Sequence, residues 1–378
     1  MIYFDGAATT LQKPDSVAQA MGAAVTSLAS PGRGGHRASM RAAEVAYLCR
    51  EAAAELFQVS NPEQIVFTHN ATHALNIAIK SRVKAGDRVV ISGYEHNSVS
   101  RPLAAIRANI IIARSALFCK TSAIHAFDEA ITPDTKLVVL NHVSNVFGSI
   151  LPIEEIAARC RERKVPFILD ASQSAGVLDI RAEELGADFI AMPGHKGLYG
   201  PQGTGLLICK DPPAQTLIEG GTGSDTRQLA MPESLPDRLE AGTHNMPGIS
   251  GLLEGIRFVK MHRAWILEHE RALLGRLSKG LRGIPDLFLY KSQNAYQQTG
   301  VLSFRIAGLD CENIAEALGE EDIAVRAGLH CAPLAHESAG TLETGTVRVS
   351  FSAFNTAQEV DAFLSILAQI RKRLRKTE

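Results

Sequence analysis

Apolar positions along the chain fall into two rhythms. Between residues 41 and 59, Val45, Leu48, Ala52 and Leu56 recur at helical spacing and predict an amphipathic helix. Beyond it, short β-branched runs alternate with helical stretches. The runs predict strands at 65–68, 88–92, 109–113, 136–140, 165–169, 188–191 and 204–209, with helices at 71–83 and 153–163 among those between them. Strands separated by helices need crossover connections, so the pattern predicts an α/β fold with a mainly parallel sheet covered on both faces. In such sheets ligands gather beyond the carboxyl ends of the strands. Near Pro247 the rhythm changes. A long helix from Ile249 to about Gly280 leads to strands at 301–306, 323–326 and 347–351. A final helix is signalled by the capping-box spacing of Thr356 and Glu359 ahead of Val360, Phe363, Leu364 and Leu367. We expect a large domain over residues 1–248 and a smaller α+β domain over 249–378, with an N-terminal arm (1–20) packing on the latter.

With 378 residues, 46% of them hydrophobic, the chain is long enough to bury both cores. Its 39 basic and 40 acidic side chains leave a net charge of -1, which gives no electrostatic reason to expect nucleic acid or an anionic membrane as partner. No apolar run approaches the roughly 18 residues that span a bilayer, and the first ten residues lack the basic and apolar regions of a secretory signal. The six cysteines (49, 119, 160, 209, 311 and 331) form no C-x-x-C and no zinc-type spacing with histidine. That pattern predicts reduced thiols in a cytoplasmic protein, and no metal site. Cys49, Cys160 and Cys209 sit in apolar helix or strand patterns and read as packing, whereas Cys119 and Cys311 are left open. The basic run 371–376 reads as a solvated helix end that complements the helix dipole.

Chemistry concentrates at predicted strand ends. Asp170 ends the run Ile168-Leu169-Asp170 and points toward a ligand crevice, or else caps a helix. About 26 residues on, Lys196 lies in Met192-Pro193-Gly194-His195-Lys196-Gly197-Leu198-Tyr199-Gly200-Pro201. An acid and a lysine at neighbouring strand ends suit pyridoxal 5'-phosphate, the lysine forming a Schiff base and the acid pairing with the pyridinium nitrogen. The segment Phe67-Thr68-His69-Asn70-Ala71-Thr72 passes from strand to helix, where backbone N–H groups and the Thr72 hydroxyl suit a phosphate dianion. His96, after the strand at 88–92, is placed to stack on a flat ring. The glycine-rich stretches at 200–205 and 220–223 match neither a P-loop nor a dinucleotide fingerprint, so nucleotide-binding readings drop out.

These motifs, with the opening Tyr3-Phe4-Asp5-Gly6-Ala7-Ala8-Thr9-Thr10, with Glu240-Ala241-Gly242-Thr243 and with Arg326-Ala327-Gly328-Leu329-His330-Cys331-Ala332, resemble the cysteine desulfurase and selenocysteine lyase family. That family groups class V, fold-type I pyridoxal-phosphate enzymes. The motifs occur in family order over nearly the whole chain. The resemblance implies a seven-stranded sheet in the large domain. It assigns Lys196 as Schiff-base lysine and proton shuttle, Asp170 and Gln173 as partners of the ring nitrogen and phenolic oxygen, and His96 as the stacking residue. Ala71 (through its backbone), Thr72 and His195 hold the phosphate, Thr243 reaches across from the other subunit of a homodimer, and Asn145 sits beside cofactor and substrate. Arg348 clamps the substrate carboxylate, with Arg326 and His36 as further substrate contacts. Cys331 is the nucleophile, in a setting beside His330 and Arg326 expected to favour its thiolate.

Two departures from the family pattern stand out. Pro193 replaces the hydroxyl residue usual three positions before the lysine, so one phosphate contact must be replaced or lost. Gly197 is an extra residue between Lys196 and Leu198. Only 17 positions separate Cys331 from Arg348, as in the short-loop, group II-like branch, where the cysteine is held near the cofactor. The reading is a homodimeric enzyme with active sites at the subunit interface, converting L-cysteine to L-alanine with a Cys331 persulfide and a possible sulfur-acceptor protein. The alternatives are a selenocysteine lyase acting on L-selenocysteine, another class V aminotransferase, epimerase or β-lyase, and, in a different class, a non-catalytic dimeric binding protein.

Overall fold

The computed structural model describes residues 1–32 and 34–376. Strand β1 (Ile2–Tyr3) precedes helices α1 (Asp15–Ser27) and α2 (Arg37–Phe57). Next come β2 (Ile65–Thr68), α3 (Ala71–Arg82), β3 (Arg88–Ser92), α4 (Asn97–Ile106) and β4 (Asn109–Ala113). They are followed by α5 (Lys120–Ala130), β5 (Thr135–Asn141), α6 (Ile153–Glu162) and β6 (Phe167–Asp170). Helix α7 (Ala182–Leu185), β7 (Phe189–Pro193), β8 (Gly205–Cys209) and the long α8 (Met246–Leu281) come next. The C-terminal part holds β9 (Leu287–Tyr290), β10 (Val301–Ile306), α9 (Cys311–Glu320), β11 (Ile323–Ala324), α10 (Pro333–Ala339), β12 (Val347–Ser350) and α11 (Ala357–Leu374).

The seven apolar runs expected to be strands assemble into one seven-stranded sheet in the order β2-β8-β7-β6-β5-β3-β4. Only β8 runs against its neighbours; the other pairs are parallel. Strand alternation sorts the side chains into two cores. Val90, Val138, Leu169 and Ile190 face one, while Val89, Val139, Ile168 and Phe189 face the other. Helix α2 starts four residues before the apolar periodicity does. His36 caps it by accepting the Ser39 N–H at 3.4 Å, a polar start that apolar spacing does not register.

A third core gathers the C-terminal elements. Leu302, Phe304, Val349, Phe363 and Leu367 pack there around Phe4, which is fully buried and in edge contact with Phe351 and Phe363. Phe4 arrives because β1 pairs in parallel with β11 (Ile2 with Ile323). The capping box at α11 forms as expected: the Thr356 hydroxyl accepts the Glu359 N–H, and the Glu359 carboxylate accepts the Thr356 N–H at 2.7 Å. Helix α8 is about 54 Å long at 1.5 Å per residue. Its first half (Ile249, Leu252, Ile256) enters a core of the large sheet and its second half (Leu273, Leu277, Leu281) enters the third core. No helix among the described residues is long and apolar enough to cross a membrane.

Helix α8 also buries a carboxyl group. Glu270 is 5% exposed, and Gly300 leaves it room: a Cβ at 300 would approach its Oε2 to 2.8 Å. Burial pushes this group from 4.5 up to about 8. Between those values the native state holds a proton that the unfolded chain has released, so stability falls as pH rises through the window, by up to about 1.4 kcal/mol per pH unit. Glu270→Gln is expected to flatten this decline, read as a smaller change in the urea midpoint between pH 5 and pH 8 than in the unaltered protein. An identical pH profile would contradict the burial argument.

Candidate active site

The carboxyl ends of β3, β5, β6 and β7 open onto a cavity of about 210 Å³. From these ends come His96, Asn145, Asp170 and Lys196 respectively, as the strand-end rule requires. Asp170 is 4% exposed, and its Oδ1 accepts hydrogen bonds from the N–H and the hydroxyl of Ser172. Burial pushes the Lys196 amine down to about 8, although Asp170 works in the opposite sense. Both the neutral and the ammonium form of this lysine are therefore populated near neutral pH. The loop carrying it is pinned from the N-terminal arm, since the His195 carbonyl accepts bonds from the Thr10 N–H (3.0 Å) and the Thr9 hydroxyl (3.1 Å). Gln173 lines the cavity and donates to the Ala7 carbonyl at 3.0 Å. Pro193 lies at the end of β7, opposite Gly205.

His96 has two places in the structure. It caps α4, with Nδ1 accepting the Ser98 N–H at 3.0 Å, and it lines the cavity. Burial pushes it down to about 4, so it is a neutral imidazole. The Ser98 hydroxyl lies 2.9 Å from His96 Nδ1 and 2.7 Å from the Thr72 hydroxyl, joining the start of α4 to the start of α3. At that second start, the N–H groups of Ala71 and Thr72 have no partner within their own helix. Beneath His96, the fully buried Glu95 accepts bonds from Ser92 (2.5 Å) and the Asn141 N–H (2.8 Å) and ties β3 to β5. Burial pushes its carboxyl up to about 8, so it is mostly protonated at neutral pH.

Arg348 is 2% exposed. Its Nη2 pairs with Asp5 Oδ1 at 2.6 Å and its Nη1 donates to the Asn145 carbonyl at 3.0 Å. Arg326 lines the same cavity and exchanges backbone hydrogen bonds with Arg348. Cys331 is exposed yet also lines the cavity. His330 and Cys331 both take left-handed backbone conformations (φ 49° and 56°), which cost non-glycine residues about 1 kcal/mol or more each. Compensating hydrogen bonds hold this turn. Asn97 N–H donates to the Cys331 carbonyl and Asn145 Nδ2 to the His330 carbonyl, both at 2.8 Å. The expected charge assistance from His330 is not there. Burial pushes that imidazole well below its usual value, and Nε2 donates to the Thr346 carbonyl at 3.1 Å. Arg326 is left as the cationic neighbour named from the sequence. Cys49, Cys160 and Cys209 are buried, with their thiols pushed up to about 12, in keeping with packing roles. Cys311 is buried and Cys119 partly exposed.

Two residues implicated by sequence lie outside this cavity. His36 is exposed at the start of α2. Thr243 is exposed and lines a separate cleft with Phe67, His69 and His244. Its segment is anchored by Glu240, which makes a two-pronged pair with Arg50 (2.8 and 2.6 Å) and meets His244 at 2.5 Å. Burial alone would raise the Glu240 carboxyl, but Arg50 and His244 outweigh it and hold it below its usual range. Sequence reasoning assigned no role to Asp5, Glu95, Ser98 or Asn141. Their signal was adjacency to motif residues, and only the hydrogen bonds give it meaning.

Among the described residues, four polar atoms on cavity residues are buried without a hydrogen-bond partner: His195 Nδ1, Asn145 Oδ1, His330 Nδ1 and Arg348 Nε. Buried polar atoms normally have partners, so this set calls for a polar occupant. Together with Asp170, a partly neutral Lys196 and the free N–H groups of α3, it fits a pyridinium ring bearing a phosphate.

The description "aminotransferase class-V" matches residues 2–363, and the chain belongs to that family, whose members depend on pyridoxal phosphate. Among its relatives, a "Probable cysteine desulfurase" of Pyrococcus abyssi is 34% identical over 100% of this chain and 96% of its own length. A cysteine desulfurase of Klebsiella pneumoniae is 30% identical over 99% and 94%. The apo structure of a cysteine desulfurase from Thermococcus onnurineus superimposes with a TM-score of 0.87 at 31% identity, over 98% of this chain and 94% of that one.

The inserted Gly197 has a steric reason. A Cβ there would press on the Ala175 carbonyl oxygen, and one on the facing Gly176 (φ +85°) would press on the Gly197 carbonyl, both closer than real Cβ contacts come. Gly197→Ala is expected to destabilise the protein by about 1–3 kcal/mol and to weaken cofactor uptake by displacing Lys196. Thermal unfolding and a cofactor absorbance titration check this, and unchanged values in both would remove the steric account.

Proposed function

We propose that the chain is a pyridoxal-phosphate-dependent cysteine desulfurase that converts L-cysteine to L-alanine and takes the sulfur onto Cys331 as a persulfide. The observation that carries this reading is the position of Cys331, an exposed thiol in the wall of the cavity that also contains Lys196, Asp170 and Arg348. Transamination has no use for a thiol there. The names of the relatives support the same activity.

Bound pyridoxal phosphate supplies an electron sink for negative charge at the substrate α-carbon. Asp170 would keep its ring nitrogen protonated, His96 would stack on the ring, and Gln173 and Asn145 would serve its phenolic oxygen. Ala71 N–H, Thr72 and His195 would receive the phosphate. Lys196 is the residue that would hold the cofactor and move protons, a task suited to an amine brought to about 8. Arg348 and Arg326 receive the substrate carboxylate; the planar guanidinium offers it two parallel N–H donors. The Cys331 thiolate attacks the substrate sulfur. An Sγ–S bond forms, the carbon–sulfur bond breaks, and its electron pair returns to carbon, which is protonated and leaves as alanine. Two copies of the chain form the working unit, with Thr243 of each reaching the other's phosphate site, and the cytoplasm is the expected compartment.

The reading is tested with L-cysteine and L-selenocysteine side by side. Cys331→Ala is expected to retain cofactor absorbance while losing persulfide formation from cysteine; an equal persulfide yield would sink the proposed nucleophile. Selenide release that survives in this variant, with no sulfide chemistry in either protein, would favour a selenocysteine lyase. Arg348→Lys keeps a charge but loses the fork. It is expected to raise KM for cysteine about tenfold or more, which corresponds to about 1.4 kcal/mol of lost carboxylate binding.

A further inference from the structure

Cys331 forms a wall between two spaces. On one side is the cavity with Lys196; on the other is an outer groove of about 410 Å³, open to solvent, running between α3 and α4. Two rows of side chains lead along it away from the thiol. Thr72, Asn76 and Lys80 lie at four-residue spacing on α3, and Asn97 and Arg101 at the same spacing on α4. Each row thus presents an amide and then a cation. No residue lining the groove is an acid. Among the described residues neither Lys80 nor Arg101 forms an ion pair, whereas the nearby Arg82 and Arg114 pair with Asp188 and Glu337. The turn carrying Cys331 is clamped at the carbonyls of His330 and Cys331 by Asn145 and Asn97. Its sulfur must therefore be collected where it stands.

Building on the persulfide reading above, we propose that the outer groove is the sulfur-acceptor subsite and that it takes a small thiol carrying two carboxylates. The carboxylates sit on Lys80 and Arg101, and the thiol meets the Cys331 persulfide. A volume of about 410 Å³ is that of a small-molecule pocket. From Thr72 to Lys80 is about 12 Å along the helix, the scale of a tripeptide. In the transfer the acceptor thiolate attacks the outer sulfur, and a new sulfur–sulfur bond forms. The Sγ–S bond breaks with its electron pair passing to Sγ, so that Cys331 returns as thiolate and the acceptor leaves as a persulfide. Nothing is oxidised or reduced overall.

The test separates the two half-reactions of the holoenzyme. Persulfide is first formed with one equivalent of L-cysteine and quantified. Its consumption is then followed with glutathione, which carries two carboxylates, and with glutathione diethyl ester, which carries none, rates being expressed per thiolate. At low ionic strength glutathione is expected to react about tenfold faster, with the gap closing in high salt. In Lys80→Glu/Arg101→Glu the preference should vanish while persulfide formation stays within twofold. Equal rates for the two thiols in the unaltered protein would overturn the subsite. A preference that survives charge reversal would overturn it too, as would equal slowing of both half-reactions, which would make the groove a substrate entrance. Failure to form any persulfide would instead count against the function proposed above, and it is seen before an acceptor is added.

Discussion

A guanidinium almost wholly removed from water needs a carboxylate within reach, because an unpaired buried cation costs several kcal/mol. Arg348 has that partner in Asp5, at 2.6 Å, and much of the molecule is arranged around the contact. Asp5 reaches it because Phe4 fills the C-terminal core and β1 pairs with β11. Four residues further on, Thr9 and Thr10 bond the carbonyl of His195 and so hold the loop of Lys196. One short arm thereby sets the arginine expected to bind substrate and the lysine expected to bind cofactor in the same frame.

Inside that frame, burial sorts charge from neutrality. His96, His195 and His330 are all held neutral, while Glu95 is held mostly protonated. Desolvation is the leading cause in each case. The strong charges left facing the cavity are those of Asp170, Arg348 and Arg326, with Lys196 poised between its two forms. Such a site offers neutral imidazoles as stacking surfaces and proton partners, and keeps its fixed charges for the groups that need them. The clamped turn of Cys331 extends this economy to the thiol, which is held between the inner cavity and the outer groove.

Much of this was legible in one dimension. The seven strands were each marked by a β-branched run, and their order along the chain with intervening helices pointed to a mainly parallel sheet. The strand-end rule then put His96, Asp170 and Lys196 near one another before any coordinates, and the family resemblance added Asn145. Less legible were contacts between residues far apart in sequence. Asp5 and Arg348 are 343 positions apart, and no local pattern announces that they touch. Glu95 and Asn141 read as ordinary polar residues beside motifs. The charge expected of His330 failed because protonation depends on solvent access, which neighbouring residues in sequence do not report.

The chain's own order of residues decided where strands and helices form, which face of each is apolar, and which short motifs carry reactive groups, because those properties depend on side-chain chemistry over a few turns or a few strand residues. Tertiary structure alone decided which acid neutralises Arg348, why position 197 is glycine, which histidines lose their charge, and that Cys331 stands between an inner cavity and a cationic groove. These depend on desolvation and close approach between distant segments, and neither exists until the chain has packed.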